Sequence, residues 1–254
     1  MQSELAAALV EDLDQLIRLH DRELDAETRA ALRAVDFPYG LALLPENEAI
    51  CAGCAAALAD TATLDELAAD YAAIYLNNSF AASPYESVWL SDDHLACAAP
   101  MFELRQCYAA AGLQVGDWRQ RFDDHFVLQL QYLRNVLARA ACDPSPRRSQ
   151  PDAMPATPAV NPENLAIFID EHLGYWFPDF AQRVARLAAT PFYAGLVVLT
   201  DGWLRRLRSL LADLYNQPVP AREAVLQRIN RKLALDKAEV APIRFMPGAQ
   251  GPSW

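Results

Sequence analysis

The side chains of this sequence that could hold a metal or act as nucleophiles include four histidines and five cysteines. Cys51 and Cys54 form one CxxC pair, and His20-Asp21 is a His-Asp pair of the kind found in helical metal-dependent phosphohydrolases. A zinc or iron–sulfur site needs about four ligands, and neither pair has a second pair at a suitable spacing. We therefore predict that Cys51 and Cys54 pack along a helix and that no metal is bound. A metal-dependent helical hydrolase using His20 and Asp21 is kept as an alternative.

Motifs for nucleotide binding and for hydrolysis are absent from the sequence. It contains no GxxxxGK[ST] phosphate loop, no GxGxxG, no GxSxG and no HExxH. The only lysines are Lys232 and Lys237. We therefore expect a protein without enzymatic activity and without a cofactor.

Aromatic and acidic side chains that could bind a partner are concentrated in one short segment. Aromatic residues are the usual energetic anchors of interfaces, and carboxylates orient a cationic partner and speed its association. In the structural alternative, Trp89 belongs to the core and Glu86 bonds only to the loop backbone. The residues of this segment whose types suit such contacts are Tyr85, Glu86, Trp89, Leu90, Asp92 and Asp93.

The triplet Asp123-Asp124-His125 opens a predicted helix. Aspartate at a helix start accepts hydrogen bonds from free backbone N–H groups and complements the helix dipole. The same side chains could also contact a ligand or a partner. The residue types alone leave both roles open, and the two roles are compatible.

The net charge of −11 is unevenly distributed. Residues 1–140 contain 22 acidic and 9 basic side chains, whereas residues 141–254 contain 11 and 13. Between Arg33 and Arg105 there are eleven acids and no Lys or Arg. A chain of this charge repels phosphate, so nucleic acid is not an expected partner. The base-free stretch either keeps the protein in solution or docks a cationic partner.

Composition and periodicity both predict an all-α fold. Ile, Val and Thr make up only about a tenth of the chain, which is low for a protein with a large sheet. Apolar residues recur at helical spacing, as in the stripe of Phe126, Leu130, Leu133 and Leu137. We predict a bundle of about ten helices. They lie near residues 2–24, 27–35, 46–59, 63–78, 100–112, 123–141, 161–173, 177–189, 192–215 and 219–234.

Six prolines occur within residues 143–162, and proline cannot continue a helix. We predict a linker here, between a larger N-terminal block (1–142) and a smaller C-terminal block (163–254) with an irregular tail. A long surface loop within one core is the alternative. A linker would permit two chains to exchange their C-terminal blocks, which would give a homodimer.

Targeting signals are also absent from the sequence. The N-terminus lacks the basic and apolar regions of a secretory signal. No stretch is apolar enough to span a bilayer. We therefore expect a cytoplasmic protein.

The hexapeptide Pro84–Trp89, PYESVW, resembles a signature of the TorD/DmsD/NarJ family of cytoplasmic redox-enzyme maturation chaperones. Further segments resemble motifs of that family, in the family's order, over roughly residues 65–210. They are Pro100–Arg105 with Tyr108 and Gly112-Leu113, Asp124-His125 with Leu128 and Tyr132-Leu133, Phe168–Phe180 with His172 and Trp176, and Pro191–Tyr193 with Leu199-Thr200 and Trp203-Leu204. Family members usually carry Glu and Pro before x-Asp-His, where this sequence has Arg121 and Phe122.

The resemblance implies an all-helical chaperone. Proteins of this family bind the twin-arginine leader, and in some cases the immature body, of a molybdenum- or tungsten-containing oxidoreductase subunit. They hold back its export until the cofactor is inserted. The expected partners are therefore the leader peptide and the apo-form of a molybdoenzyme catalytic subunit.

The resemblance implies partner binding by the aromatic and acidic residues of residues 85–93, and it adds Asp124 and His125 to the partner-binding residues. A twin-arginine leader offers two guanidiniums followed by an apolar stretch. We expect carboxylates to orient such a peptide and apolar side chains to supply its affinity. A helical scaffold without a peptide groove is the remaining alternative.

Overall fold

A computed structural model describes residues 1–77, 81–90, 94–117, 119–142 and 162–239. Within this part of the chain every regular element is a helix, so the all-α prediction is confirmed. The helices are α1 (Ser3–Asp21), α2 (Ala26–Ala34), α3 (Glu48–Ala59), α4 (Leu64–Tyr71), α5 (Glu86–Leu90), α6 (Ala99–Ala110), α7 (Phe126–Cys142), α8 (Pro162–Phe168), α9 (Gly174–Leu187), α10 (Pro191–Tyr215) and α11 (Arg222–Glu239). None of these helices is both long enough and apolar enough to cross a bilayer.

Two helices contain a π-helical turn. α4 continues into Ala72–Leu76, and α8 continues into Ile169–Leu173, after which the backbone runs on as α9. The predicted break between residues 173 and 177 is therefore wrong, because this stretch stays helical. A Cβ at Gly174 would lie 2.9 Å from the carbonyl oxygen of Ile169, so the wide turn depends on a glycine here.

The short helix α5 and the start of α7 also differ from the prediction. α5 has five residues, too few to show a helical period. α7 begins at Phe126 rather than at residue 123, because Asp123-Asp124-His125 forms the turn that precedes it. Both differences fall on the segments that were assigned to partner binding.

The core is built by packing between the long helices. α1 packs on α7, and α10 packs on both α3 and α9. Asp12 of α1 is buried and accepts hydrogen bonds from Trp203 Nε1 at 2.9 Å and from the backbone N–H of Leu43 at 2.9 Å. One buried carboxylate therefore joins α1, α10 and the loop before α3.

Helix α10 also reaches across the two predicted blocks. It packs against α3 and α4, and Asp70 of α4 accepts hydrogen bonds from the backbone N–H and the hydroxyl of Thr190 at 2.6 and 2.7 Å. Asp70 thus satisfies donors at the N-terminus of a helix in the other block. Residues 143–161 lie outside the described residues, so the division into blocks and the homodimer stay predictions.

The acids of the base-free stretch do not share one environment. Asp70 and Glu86 are buried, at 3% and 1% exposed. Asp92 and Asp93 lie outside the described residues. The exposed members are Asp36, Glu46, Glu48, Asp65 and Glu66. Part of the stretch is therefore a solvated acidic surface, and part of it makes internal contacts.

A candidate partner-binding site

The two sequence segments assigned to partner binding lie against each other. The backbone N–H of Glu86 donates to the carbonyl of Asp124 at 3.1 Å, and the N–H of Phe126 donates to the carbonyl of Pro84 at 2.9 Å. These two bonds pair Tyr85 with His125 in an isolated antiparallel bridge. The bridge fixes the start of α5 on the start of α7.

Asp124 holds the first turn of α5 through its side chain. Its Oδ2 accepts a hydrogen bond from the backbone N–H of Ser87 at 2.9 Å, as an N-cap residue would, although it comes from another helix. Asp124 is fully buried, and burial raises the pKa of its carboxyl group. Its position is therefore that of an internal clamp on the loop.

Glu86 points into the protein. Its carboxylate accepts hydrogen bonds from Gln129 Nε2 at 2.8 Å and from the ring nitrogen Nδ1 of His172 at 2.9 Å. Burial raises the pKa of Glu86. The pKa of His172 is also raised, because the charges of Glu86 and Glu103 outweigh the opposing effect of burial. His172 is therefore an imidazolium that compensates a carboxylate in the interior.

His125 is buried in a different environment. Its ring lies edge-on to the Tyr85 ring, with centroids 5.0 Å apart, and its Nδ1 accepts a hydrogen bond from the N–H of Val127 at 3.2 Å. Burial, together with the charge of Arg121, lowers the pKa of His125 well below its ordinary range. The His125 ring is therefore neutral, and it packs against the ring of Tyr85.

The accessible part of the loop consists of Tyr85, Trp89 and Leu90, which are all half-buried. The indole N–H of Trp89 donates to the carbonyl of Ser83 at 2.8 Å. One side of the ring packs on Trp176, with centroids 6.3 Å apart, and the guanidinium of Arg183 lies 5.7 Å from the ring centroid. Trp89 is thus anchored to the core while part of its surface remains open.

An open cavity of about 420 Å³ lies beside Trp89. Its other lining residues are Asp179, Gln182, Arg183, Arg186 and Leu187. Leu187 is 49% exposed and extends the apolar surface of the loop. The charged residues of its lining are one acid, Asp179, and two arginines.

Carboxylates do cluster elsewhere, at a place that sequence analysis missed. Glu103, Asp170 and Glu171, called the carboxylate cluster below, lie under α11. Lys232 Nζ contacts Glu103 Oε1 at 2.5 Å and Glu171 Oε2 at 2.6 Å. Asp170 is paired with the buried Arg208 at 2.8 Å. His172 Nε2 lies 4.0 Å from Glu103, which makes the cluster continuous with the Glu86–His172 pair.

The π turn places several ionisable side chains in the interior of the protein. All five of its residues, Ile169–Leu173, are less than 10% exposed, and three consecutive ones are ionisable. The sequence does carry a signal for these buried groups. Three adjacent ionisable residues lie within a predicted helix, with an apolar residue on each side of them. Spacing alone could not find their partners, because Lys232 is 61 residues away from Glu171.

A protein-family model described as the nitrate reductase delta subunit matches residues 41–182. The matched range covers more than half of the chain and contains both bridged segments, α5, α7 and the π turn at 169–173. The chain belongs to the nitrate reductase delta subunit family. The resemblance to the TorD/DmsD/NarJ family is thereby confirmed, and the matched range contains all of the resembling segments except those at 191–204.

Curated proteins similar to this family member are chaperones by name. A chaperone protein TorD of Vibrio cholerae is 28% identical over 159 residues, which is 60% of this chain and 65% of that protein. One from Vibrio vulnificus is 29% identical over 53% of this chain and 59% of its own length, and one from Shewanella piezotolerans is 29% identical over 55% and 59%. The chain therefore spans less than two thirds of the length of these relatives.

The departure from the family motif before Asp124 has a structural role of its own. Arg121 forms an ion pair with Asp21 at the end of α1. The ring of Phe122 packs on Tyr85, with centroids 5.7 Å apart. These two residues connect the turn before α7 to α1 and to the loop of this delta subunit family member.

The residues of the hydrolase alternative are engaged elsewhere. His20 is buried, and its two ring nitrogens lie 2.7 Å from the hydroxyls of Tyr75 and Thr200. Within the described residues, no group of three or more His, Cys, Asp or Glu side chains is placed to hold a metal. Cys51 and Cys54 are buried on α3, and burial raises the pKa of both thiols, to about 12 for Cys54.

The structure brings six of the eight assigned residues together and divides them into two groups. Tyr85, Trp89 and Leu90 present surface, whereas Glu86, Asp124 and His125 are buried beneath them. The expectation that Glu86 lies at the surface beside Trp89 is wrong, because its carboxylate is paired with His172 inside the protein. The remaining two residues, Asp92 and Asp93, lie outside the described residues.

Proposed function

We propose that this protein is a cytoplasmic, non-enzymatic chaperone for the maturation of a molybdenum- or tungsten-containing oxidoreductase. In this proposal it binds the twin-arginine leader, the immature body, or both, of the catalytic subunit and holds it for cofactor insertion before export. The observation that carries the proposal is the family match over residues 41–182, together with relatives named as chaperones.

The contact surface in this proposal is the loop bearing Tyr85, Trp89 and Leu90. An apolar segment of the client would pack on these side chains and on the exposed Leu187. Burial of about 500 Å² of apolar surface contributes on the order of 12 kcal/mol before association costs are subtracted. A net value near −8 kcal/mol, about micromolar affinity, is expected for such a surface.

The buried residues have a different role in this proposal. Glu86, Asp124 and His125 fix the conformation of the loop, so that the exposed aromatic side chains are already ordered before the client binds. Ordering the receptor in advance reduces the entropic cost of association. The three residues therefore support partner binding without touching the partner.

A direct test measures fluorescence anisotropy of labelled leader peptides with the full chain. The peptides are the twin-arginine leaders of the molybdenum and tungsten oxidoreductases of the source organism, and each has a control in which alanines replace the arginine pair. We expect saturable binding of at least one leader at micromolar concentration, and weaker binding of its control. Failure of every leader and of every matching apo-subunit to bind would leave the helical scaffold as the better hypothesis.

A further inference from the structure

The cavity beside Trp89 combines positive charge with apolar surface. Arg186 and Leu187 follow Arg183 by three and four residues on α9, and this spacing places their side chains next to each other on one face of the helix. All three line the cavity, together with Trp89 of α5. Leu187 is exposed and Trp89 is half-buried. The cavity therefore offers two guanidiniums beside an apolar side chain and an indole ring.

The acid among the described lining residues does not balance these two charges. Asp179 already forms an ion pair with Arg222 of α11. Asp201 of α10, which also lies near Asp179, is itself paired with Arg205 at 2.9 Å. Both carboxylates therefore have a cation of their own, and neither cation belongs to the lining of the cavity.

The two arginines of the lining are without a carboxylate partner in the described part of the chain. Arg183 Nη1 donates to the carbonyl of Ala81 at 3.0 Å, and its guanidinium lies 5.7 Å from the centre of the Trp89 ring. Both of these partners are uncharged, and the other N–H groups of the guanidinium stay available. Arg186 makes no hydrogen bond or ion pair with another described residue. Its place in the last turn of α9 complements the helix dipole, but this does not use its N–H donors.

We propose that the cavity beside Trp89 binds a segment of the client in which a glutamate or aspartate lies next to an apolar residue. Arg183 and Arg186 hold the carboxylate, because guanidiniums bond carboxylates in bidentate geometry. The apolar residue packs on Trp89 and Leu187. This inference rests on the proposed function and deepens it, since it adds a requirement for negative charge to the apolar contact with the client.

A protein segment fits this cavity better than a free anion does. Its volume of about 420 Å³ lies in the range of ligand pockets, which is more than a single carboxylate or phosphate fills. The cavity is open and shares Trp89 with the loop that is proposed to contact the client, so one bound chain can cover both. The net charge of −11 opposes an acidic segment mainly at long range, because salt screens exposed charges beyond about 8 Å. At hydrogen-bond distance the two arginines decide the interaction.

Titration calorimetry with the full chain tests this inference without a charged label. The probe is an acetylated and amidated synthetic peptide of about 12 residues, or about three helical turns, with the central sequence Leu-Glu-Glu-Leu between alanines and glutamines. Its control carries glutamine in place of both glutamates. We expect the wild type to bind the probe about fivefold more tightly than the control.

Three double variants identify the side chains responsible. Arg183→Gln/Arg186→Gln removes both guanidiniums and keeps good helix formers, and we expect it to bind probe and control equally. Arg183→Lys/Arg186→Lys keeps the charge without the planar fork and should retain part of the preference. Arg22→Gln/Arg231→Gln removes two exposed positive charges outside the cavity and should retain all of it. Circular dichroism and thermal unfolding check that every variant keeps the helical fold.

The outcomes for the inference are distinct. Loss of the preference in Arg183→Gln/Arg186→Gln, with its retention in Arg22→Gln/Arg231→Gln, supports the inference. It is overturned if the wild type does not bind the probe, if it binds probe and control equally, or if the preference persists without Arg183 and Arg186. Inorganic phosphate is titrated alone as well, and tighter binding of phosphate than of the probe would make the cavity an anion site and would also overturn the inference.

Cognate leader peptides, titrated in parallel, separate this inference from the proposed function. If the leaders bind and the probe does not, the inference is overturned and the leader-binding proposal stands. If neither the probe, nor a leader, nor a matching apo-subunit binds, both are overturned.

Discussion

The imidazole Nδ1 of His172 lies 2.9 Å from the carboxylate Oε1 of Glu86, and both side chains are at least 95% buried. The two residues are 86 positions apart in the sequence. This pair joins the π turn after α8 to the loop that bears Trp89. It therefore connects the proposed client-binding loop to the middle of the helical core.

Removal of both members of this pair should cost less stability than the two single removals added together. His172→Gln leaves the Glu86 carboxylate in the interior without its cation, and we expect a loss of about 3 kcal/mol in the free energy of unfolding. Glu86→Gln/His172→Gln should cost less than the sum of the two single changes. Urea unfolding of the four proteins provides the measurement. Additive losses would mean that the two groups do not stabilise each other.

The free energy of unfolding should decrease as the pH rises through the pKa values of Glu86 and His172. The pKa of His172 is raised from 6.5 to about 10, so its contribution is complete below about pH 6.5 and is lost as the pH rises toward 10. Burial raises the pKa of Glu86 from 4.5 to about 7, so the unfolded chain releases that proton first and stability also falls over this lower range. We predict a flatter pH dependence between pH 6 and pH 9 for Glu86→Gln/His172→Gln. Identical slopes in urea unfolding would contradict the assignment.

His20 should produce the opposite dependence on the acid side. Burial lowers its pKa from 6.5 to about 3, so below pH 6.5 the unfolded chain binds a proton that the folded protein does not. At about 1.4 kcal/mol per pH unit, the wild type should lose roughly 2 kcal/mol between pH 6.5 and pH 5 through this group. His20→Gln should lack this component, whereas the exposed His94→Gln should keep it. A slope in His20→Gln equal to that of the wild type would exclude His20 as its source.

Asp124 should control the order of the proposed client-binding loop. Asp124→Ala removes the acceptor for the N–H of Ser87 and frees the first turn of α5, at an expected cost of about 1–2 kcal/mol. We expect the tryptophan fluorescence of the variant to shift to longer wavelength, and its affinity for leader peptide to fall while the helical content persists. Asp65→Ala, an exposed acid in the first turn of α4, is the matched control. Unchanged fluorescence and affinity would argue against the clamp.

Trp89 should contribute more to client binding than any exposed acid. Trp89→Ala removes the central aromatic of the loop and is expected to weaken leader binding by about 2 kcal/mol, roughly thirtyfold, while Trp89→Phe should retain part of the affinity. Phe102→Ala, a 50% exposed aromatic on α6, should bind as the wild type does. Titration calorimetry with a cognate leader gives these values. Equal affinity of the wild type and Trp89→Ala would place the client elsewhere.

The sequence predicted most helices because their apolar stripes are long. Phe126, Leu130, Leu133 and Leu137 recur at helical spacing, and all four are fully buried in α7. The same principle fails for α5, because five residues do not complete two turns. The sequence also predicted that a helix ends at residue 173, just before Gly174. The glycine instead relieves a close approach within a π turn, which spacing does not reveal.

The residues of the candidate site were chosen from the sequence, but their environments were not predicted. The structure brings the PYESVW hexapeptide and Asp124-His125 together through two backbone hydrogen bonds, a contact that the sequence did not predict. The sequence could not predict that the Glu86 side chain points into the protein. Its direction depends on His172 and Gln129, which come from distant parts of the chain. For the same reason, the carboxylate cluster is visible only when α11 is placed over it.

The π turn at Ile169–Leu173 also adds one residue to this part of the chain. A π turn contains one more residue than the α-helical turn it replaces. Deletion of a single residue there would restore a regular α-helical turn and leave the helix that follows facing nearly the same way, because the two kinds of turn cover about the same rotation. Trp176 and Phe180 would keep the positions from which they support the loop, while the row of buried ionisable residues would be shorter by one. A relative without this extra residue can therefore keep the aromatic support of the loop while it lacks part of the buried polar network.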